Sequence, residues 1–269
     1  MAKYALCIGI NDYPGTESDL SGCVNDAKDW GAELESRGFE VKTLLDGAAK
    51  KKAIVESMEK VIEGAKSGDV VVITFSGHGT WVPDIDGDEN QGGDELDSRD
   101  EALCPSDISG NAVITDDLLF EIFTSRARGV RLVFLSDCCH SGTVARYAPS
   151  MSKDRSPRKA RFLPPSTFLP PTRVAAARAV ERKPAVGRAR ASALLLSGCQ
   201  DWEYSYDATF DNRPNGAFTR VALDTLKEHE PATYSAWYRL IRKRLPSQDY
   251  PQQPNIVGTS AQRAWKVFE

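Results

Sequence analysis

Short apolar runs alternate along this chain with stretches whose apolar positions recur at helical spacing. Tyr4–Ile10 reads as a buried strand. From Asp19 to Ser36 the residues Val24, Ala27, Trp30 and Leu34 share one stripe, which predicts an amphipathic helix, and Gly38 follows as its stop. Phe39–Leu45 is predicted as a strand and Lys50–Ala65 as a second helix, closed by Ser67-Gly68. Asp69–Phe75 is almost entirely β-branched and apolar, the composition of a central strand covered on both faces. A long acidic loop is expected from Pro83 to Asp107. Thr115 can then cap a helix reaching about Arg126, and Arg131–Leu135 is another buried strand. Farther on, Ala193–Ser197 reads as a strand, Gly216–Glu228 and Thr233–Arg244 as helices, and Arg263–Phe268 as a last strand. Strands alternating with helices predict a mostly parallel sheet with helices on both faces.

Composition narrows the class. The chain has 269 residues, 41% hydrophobic and 27% charged, as in ordinary globular proteins. No apolar run approaches the roughly 20 residues that cross a bilayer. The N-terminal residues lack the pattern of a signal peptide, so a cytoplasmic protein with six reduced thiols is the expectation. No CxxC pair points to zinc. The net charge of −4 hides a division: residues 146–190 carry twelve Lys/Arg and two Asp/Glu, leaving 22 basic and 36 acidic residues elsewhere. That basic stretch is also Pro-rich and aperiodic, which predicts a solvated linker rather than a nucleic-acid module. Its charge keeps nucleic-acid binding open as a third reading. The expected divisions are a catalytic region over 1–145, the linker over 146–191, and a smaller region over 192–269 that extends the same sheet.

In an open α/β sheet, sites form beyond the carboxyl ends of the strands. Two strand ends carry suggestive residues, Ser76-Gly77-His78-Gly79 and Ser136-Asp137-Cys138-Cys139-His140-Ser141-Gly142. A thiol attacks as thiolate and needs a nearby base. Of the three histidines, His229 sits beside two glutamates near a helix end, and His140 adjoins the cysteines in sequence, where neighbours point to opposite sides. His78, on a glycine-flanked turn, is the best base by elimination. On residue types alone, a pair of buried polar residues in turns is an equal alternative.

The wording around those residues resembles the caspase-like clan of cysteine peptidases, and metacaspases and orthocaspases in particular. Besides SGHG and D-x-C-H-S-G, the segments Leu20–Ala27, Asp84–Glu89, Ile114–Asp117, Leu196–Cys199 and Asn215–Thr219 look like family motifs in their usual order. The resemblance spans nearly the whole chain apart from the linker. It implies a caspase–haemoglobinase-like three-layer α/β/α sandwich and a thiol peptidase that is monomeric. By the position in its motif Cys139 is the nucleophile, working with His78 as a dyad, while Cys138 is read as a packing residue. Backbone N–H groups of Gly79 and Cys139 are expected to form the oxyanion hole.

A pocket for Arg or Lys needs carboxylates, and Asp26 and Asp137 sit beside the candidate site. Both match positions lining the basic-residue pocket of metacaspases, together with Cys23 and Ser76. The twelve basic residues of the linker then offer bonds for self-processing between Arg146 and Arg190. Calcium is a divided expectation. Asp100, Asp116 and Asp117 match three family calcium ligands, but the stretch Thr143–Arg146 holds no acid where a fourth is expected. The spacing of Asp84, Asp86, Asp88 and Glu95 resembles an EF-hand loop, yet Glu89 stands where that loop needs glycine. The competing readings are a caspase-fold hydrolase of other specificity and a non-catalytic binding module.

Overall fold

The computed structural model describes residues 1–83, 99–110, 112–139, 158–178, 192–200 and 203–269. Its centre is a six-stranded sheet in the order β12-β9-β7-β3-β1-β2. The strands are β1 (Lys3–Gly9), β2 (Glu40–Leu45), β3 (Val70–Ser76), β7 (Arg131–Asp137), β9 (Leu194–Ser197) and β12 (Asn255–Val257). All pair in parallel except β12, which runs antiparallel along β9. Every residue of β3 is buried, as its apolar run requires of a strand covered on both faces. The strand from the C-terminal region joins β7 in register, Val133 opposite Leu194 through Ser136 opposite Ser197, so both parts of the chain share one sheet.

Helices cover the two faces. On one face, α1 (Cys23–Ser36) packs with α5 (Ala217–His229) and α6 (Tyr234–Arg242), joining Trp30, Leu34, Phe218, Leu226, Trp237 and Phe268 in one apolar cluster. On the other, α2 (Lys51–Gly64) and α3 (Asp116–Thr124) bury Ile54, Met58, Ile62, Leu119 and Phe123. Thr115 caps α3 by accepting from the Leu118 N–H. This is the α/β/α sandwich with a mostly parallel sheet that was expected.

Several features depart from expectation. Arg263–Phe268 is not a strand: α7 (Ser260–Arg263) ends there, and Val267 and Phe268 serve as core residues instead. Part of the acidic stretch is ordered as β5 (Arg99–Leu103), which pairs antiparallel with β4 (Gly79–Pro83) and β6 (Ile114–Thr115) in a small second sheet. A third sheet joins β8 (Lys159–Ala160), β10 (Tyr206–Phe210) and β11 (Arg213–Gly216). Residues 158–178, expected to be solvated linker, are packed against the body. They include β8 and α4 (Pro171–Arg178), and both Arg161 and Leu163 are completely buried. The acidic residues from Asp84 to Asp97 and the segment Thr143–Arg146 lie outside the described residues, as does His140.

Candidate active site

The carboxyl ends of β3 and β7 lie side by side, Ser76 opposite Asp137. The turns that follow therefore bring His78 and Cys139 to one edge of the sheet. Gly79 is compelled by space, since a Cβ there would overlap the carbonyl of Cys139. Its absence lets the two turns come into backbone contact.

His78 is buried, and its Nε2 lies 2.6 Å from the Ser18 carbonyl. A carbonyl can only accept, so Nε2 carries the proton and Nδ1 is the free lone pair, buried without a hydrogen-bond partner. Tyr13 completes the mounting: its hydroxyl accepts from the His78 N–H at 2.7 Å and its ring lies 4.7 Å from the imidazole. Burial lowers the imidazole to about 4 despite the opposing bond to Ser18, so it is neutral at pH 7. Neither Ser18 nor Tyr13 was singled out in the sequence, because a backbone carbonyl and a phenol remote in the chain leave no motif.

The Cys139 thiol is buried against the backbone of Ser205, whose N–H donates to Sγ at 2.6 Å and whose carbonyl accepts at 3.3 Å. No hydrogen bond joins it to His78 in this arrangement. Cys138 faces the opposite way, into the apolar core, with Sγ 3.1 Å from Ser136 Oγ.

A segment of the chain itself fills the cleft. β8 pairs antiparallel with β10, Ala160 opposite Tyr206, and the Arg161 N–H continues the ladder to Ser205 O at 2.9 Å. The Arg161 carbonyl accepts from both Gly79 N–H, at 3.0 Å, and Cys139 N–H, at 3.1 Å. Its side chain enters a closed pocket of three carboxylates: Nη2 lies 2.7 Å from Asp26 and 2.9 Å from Asp207, and Nη1 lies 3.1 Å from Asp137.

Each acid is held by donors from other elements. Asp26 accepts from Asn215 Nδ2 at 2.9 Å and Gly216 N–H at 3.0 Å. Asp137 accepts from Thr219 Oγ1 at 2.8 Å and from the Ser205 hydroxyl. Asp207 accepts from the N–H groups of Ser21 and Gly22. Three carboxylates around one guanidinium leave an excess of negative charge in a dry site. Burial accordingly pushes Asp26 up to about 6, against the pull of Arg161. Burial on its own would lower Arg161, but Asp137 and the other acids outweigh it and hold the guanidinium charged.

Of the residues named from the sequence, Asp26 and Asp137 touch this guanidinium. Cys23 lies near it, its thiol pushed well up by burial while Arg161 pulls the other way. Ser76 is buried at the end of β3. Asp207 was missed, since it sits on β10 with no motif around it. Asp100 lies buried in β5, while Asp116 and Asp117 open α3. Among the described residues, no three His, Cys, Asp or Glu side chains are grouped to hold a metal ion. No helix among the described residues is long and apolar enough to cross a membrane.

A thiol and an imidazole at adjacent strand ends of a six-stranded α/β sheet define a caspase-like cysteine-peptidase fold. Residues 2–264 match the caspase domain of peptidase family C14, and the chain belongs to that family. It is 28% identical to Metacaspase-1A of Neurospora crassa over 292 aligned residues, covering 96% of this chain and 63% of that protein. It is 39% identical to Metacaspase-7 of Arabidopsis thaliana over 151 residues, covering 53% of this chain and 35% of that protein. This chain thus spans less than two thirds of either relative. The crystal structure of protein GSU0716 from Geobacter sulfurreducens superposes with a TM-score of 0.73 at 30% identity, covering 100% of this chain and 98% of that one.

Proposed function

We propose that this chain is a cysteine endopeptidase that cleaves after Arg or Lys, and that its first substrate is its own Arg161–Phe162 bond. One observation carries the reading: the side chain of Arg161 satisfies an acidic pocket while the carbonyl of the same residue accepts from two N–H groups beside the thiol. A substrate needs both of these contacts, and a residue buried for packing alone needs neither.

In the reaction His78 Nδ1 takes the thiol proton as Sγ swings from Ser205 to the Arg161 carbonyl carbon, forming a C–S bond. The resulting oxyanion sits where Gly79 and Cys139 already donate. Collapse breaks the Arg161–Phe162 C–N bond, and His78 returns the proton to the leaving Phe162 amine. Water then hydrolyses the thioester with His78 as base, restoring the thiol and leaving Arg161 as a new C-terminus. Removing one oxyanion donor from such sites costs a factor of about 10²–10³ in rate, so the paired N–H groups are a major contribution.

The test is intact mass and N-terminal sequencing of the purified protein beside its Cys139→Ala variant. A fragment beginning at Phe162, absent from the variant, is expected. Fluorogenic peptides ending in Arg or Lys should be cut and those ending in Asp should not. Cleavage after Asp, or no cleavage of either chain or peptide, would sink the reading.

A further inference from the structure

Residues beyond the cut are gripped as closely as Arg161. Phe162 bridges to Gly79 in the parallel sense, and the Leu163 N–H donates to the Gly79 carbonyl at 2.9 Å. Thr80 Oγ1 donates to the Leu163 carbonyl at 2.7 Å. The start of β4 thus binds both backbone groups of one residue, the second past the bond. That residue's side chain is completely enclosed within the apolar core cluster. Phe162, by contrast, is half-buried, resting by the apolar group of Trp81, Val82, Leu169 and Val174, with its ring centroid 6.3 Å from that of Tyr204.

We infer that the cleft has a built subsite for the second residue after the cut, formed by Gly79 and Thr80 and closed to water, which takes an uncharged aliphatic side chain. This rests on the endopeptidase reading and adds to it: protein substrates are selected on both sides of the bond, by Arg or Lys before it and by Leu or a residue of its kind two places after it. The physical reason is that a backbone clamped on both its N–H and its carbonyl cannot turn its side chain out of the slot. A charge carried there would be buried unpaired.

The test uses processed enzyme and the peptide Arg-Lys-Ala-Arg-Phe-Leu-Pro-Pro, which copies residues 158–165, with versions carrying Gly or Asp in place of Leu. A fluorogenic amide ending at Arg, with nothing beyond the bond, runs beside them. Burial of one aliphatic side chain predicts kcat/KM for the Leu peptide about tenfold to a hundredfold above the Gly peptide, with Asp lower still. Mass spectrometry should place the cut between Arg and Phe. If the fluorogenic amide is cut while the Leu, Gly and Asp peptides agree within twofold, or while none of them is cut, the subsite is refuted and the Arg-directed peptidase stands. If the amide also resists, both fall together.

Discussion

The imidazole of His78 combines two constraints that set its behaviour with pH. It is bonded to Ser18 through Nε2–H and is lowered by burial to about 4, where a free histidine sits near 6.5. A base must be neutral to accept the thiol proton; Asp26 takes a proton near pH 6, but Asp137 and Asp207 still hold the guanidinium, so self-cleavage should hold its rate from pH 7 to pH 5 and fall only near pH 4. Following the Arg161–Phe162 cut by gel after refolding at each pH checks this, and an acid limb centred at 6.5 would contradict it. The same shift acts on stability. Between pH 6.5 and 4 the unfolded chain binds a proton at this site and the folded chain does not, so the contribution of His78 to stability falls as pH drops through that window.

At the level of elements, the acidic pocket is a junction. Asp26 comes from α1, Asp137 from the end of β7, Asp207 from β10, and Gly216 closes the space from the β11–α5 turn. Gly216 has φ of −72°, which any residue can adopt, so its backbone does not demand glycine. Space does: a Cβ there would overlap both the Asp137 carboxylate and the Arg161 guanidinium. Gly216→Ala should therefore abolish self-cleavage and reduce kcat/KM on Arg-ending peptides by about a hundredfold or more, as misplacing a bound group does. Circular dichroism should show the helical content unchanged, and retention of full activity would remove this glycine from the pocket. Sequence reading missed β4–β6 and β10–β11 for a related reason. They are short, partly polar hairpin strands whose stability comes from pairing and from the segment docked on them, so they lack a strong two-residue alternation.

On the scale of the whole molecule, cleavage at Arg161 should be intramolecular. Arg161 is 0% exposed, enclosed by elements from both ends of the chain, so a second molecule has no access to that bond in the folded state. Adding active, processed enzyme to intact Cys139→Ala protein should leave Arg161–Phe162 uncut, and the rate of self-cleavage in the active chain should not depend on protein concentration. Cutting of the variant in trans, rising with added enzyme, would show that the segment leaves the cleft before it is cleaved. Replacing Arg161 by Lys should preserve self-cleavage at that position, whereas Arg161→Ala should remove it and leave three pocket acids without their cation. Calcium activation is read out in the processed enzyme: equal activity in chelator and in millimolar calcium would reject it.

The local pattern of the chain was enough to specify the parallel sheet, the two flanking helical layers and the placing of Cys139 and His78 at strand ends, while the pairing of those two strands as neighbours came from the structure. The first three features follow from periodicity and from the rule that open sheets bind at their carboxyl edges. Two of the three acids that hold the guanidinium, Asp26 and Asp137, were drawn from the resemblance of their surroundings to metacaspase motifs, since on residue type alone each reads as a surface or turn acid. Sequence reading took the basic stretch for solvated linker, since Arg161 and Leu163 have no periodic neighbours and look like any other polar, Pro-rich sequence. Their burial depends on partners far away: Asp26 lies 135 positions from Arg161 and Asp207 lies 46. Charge pairing and pocket closure between such distant residues are decided only when the chain has folded, because no local pattern encodes which of the twelve basic residues will meet the acids.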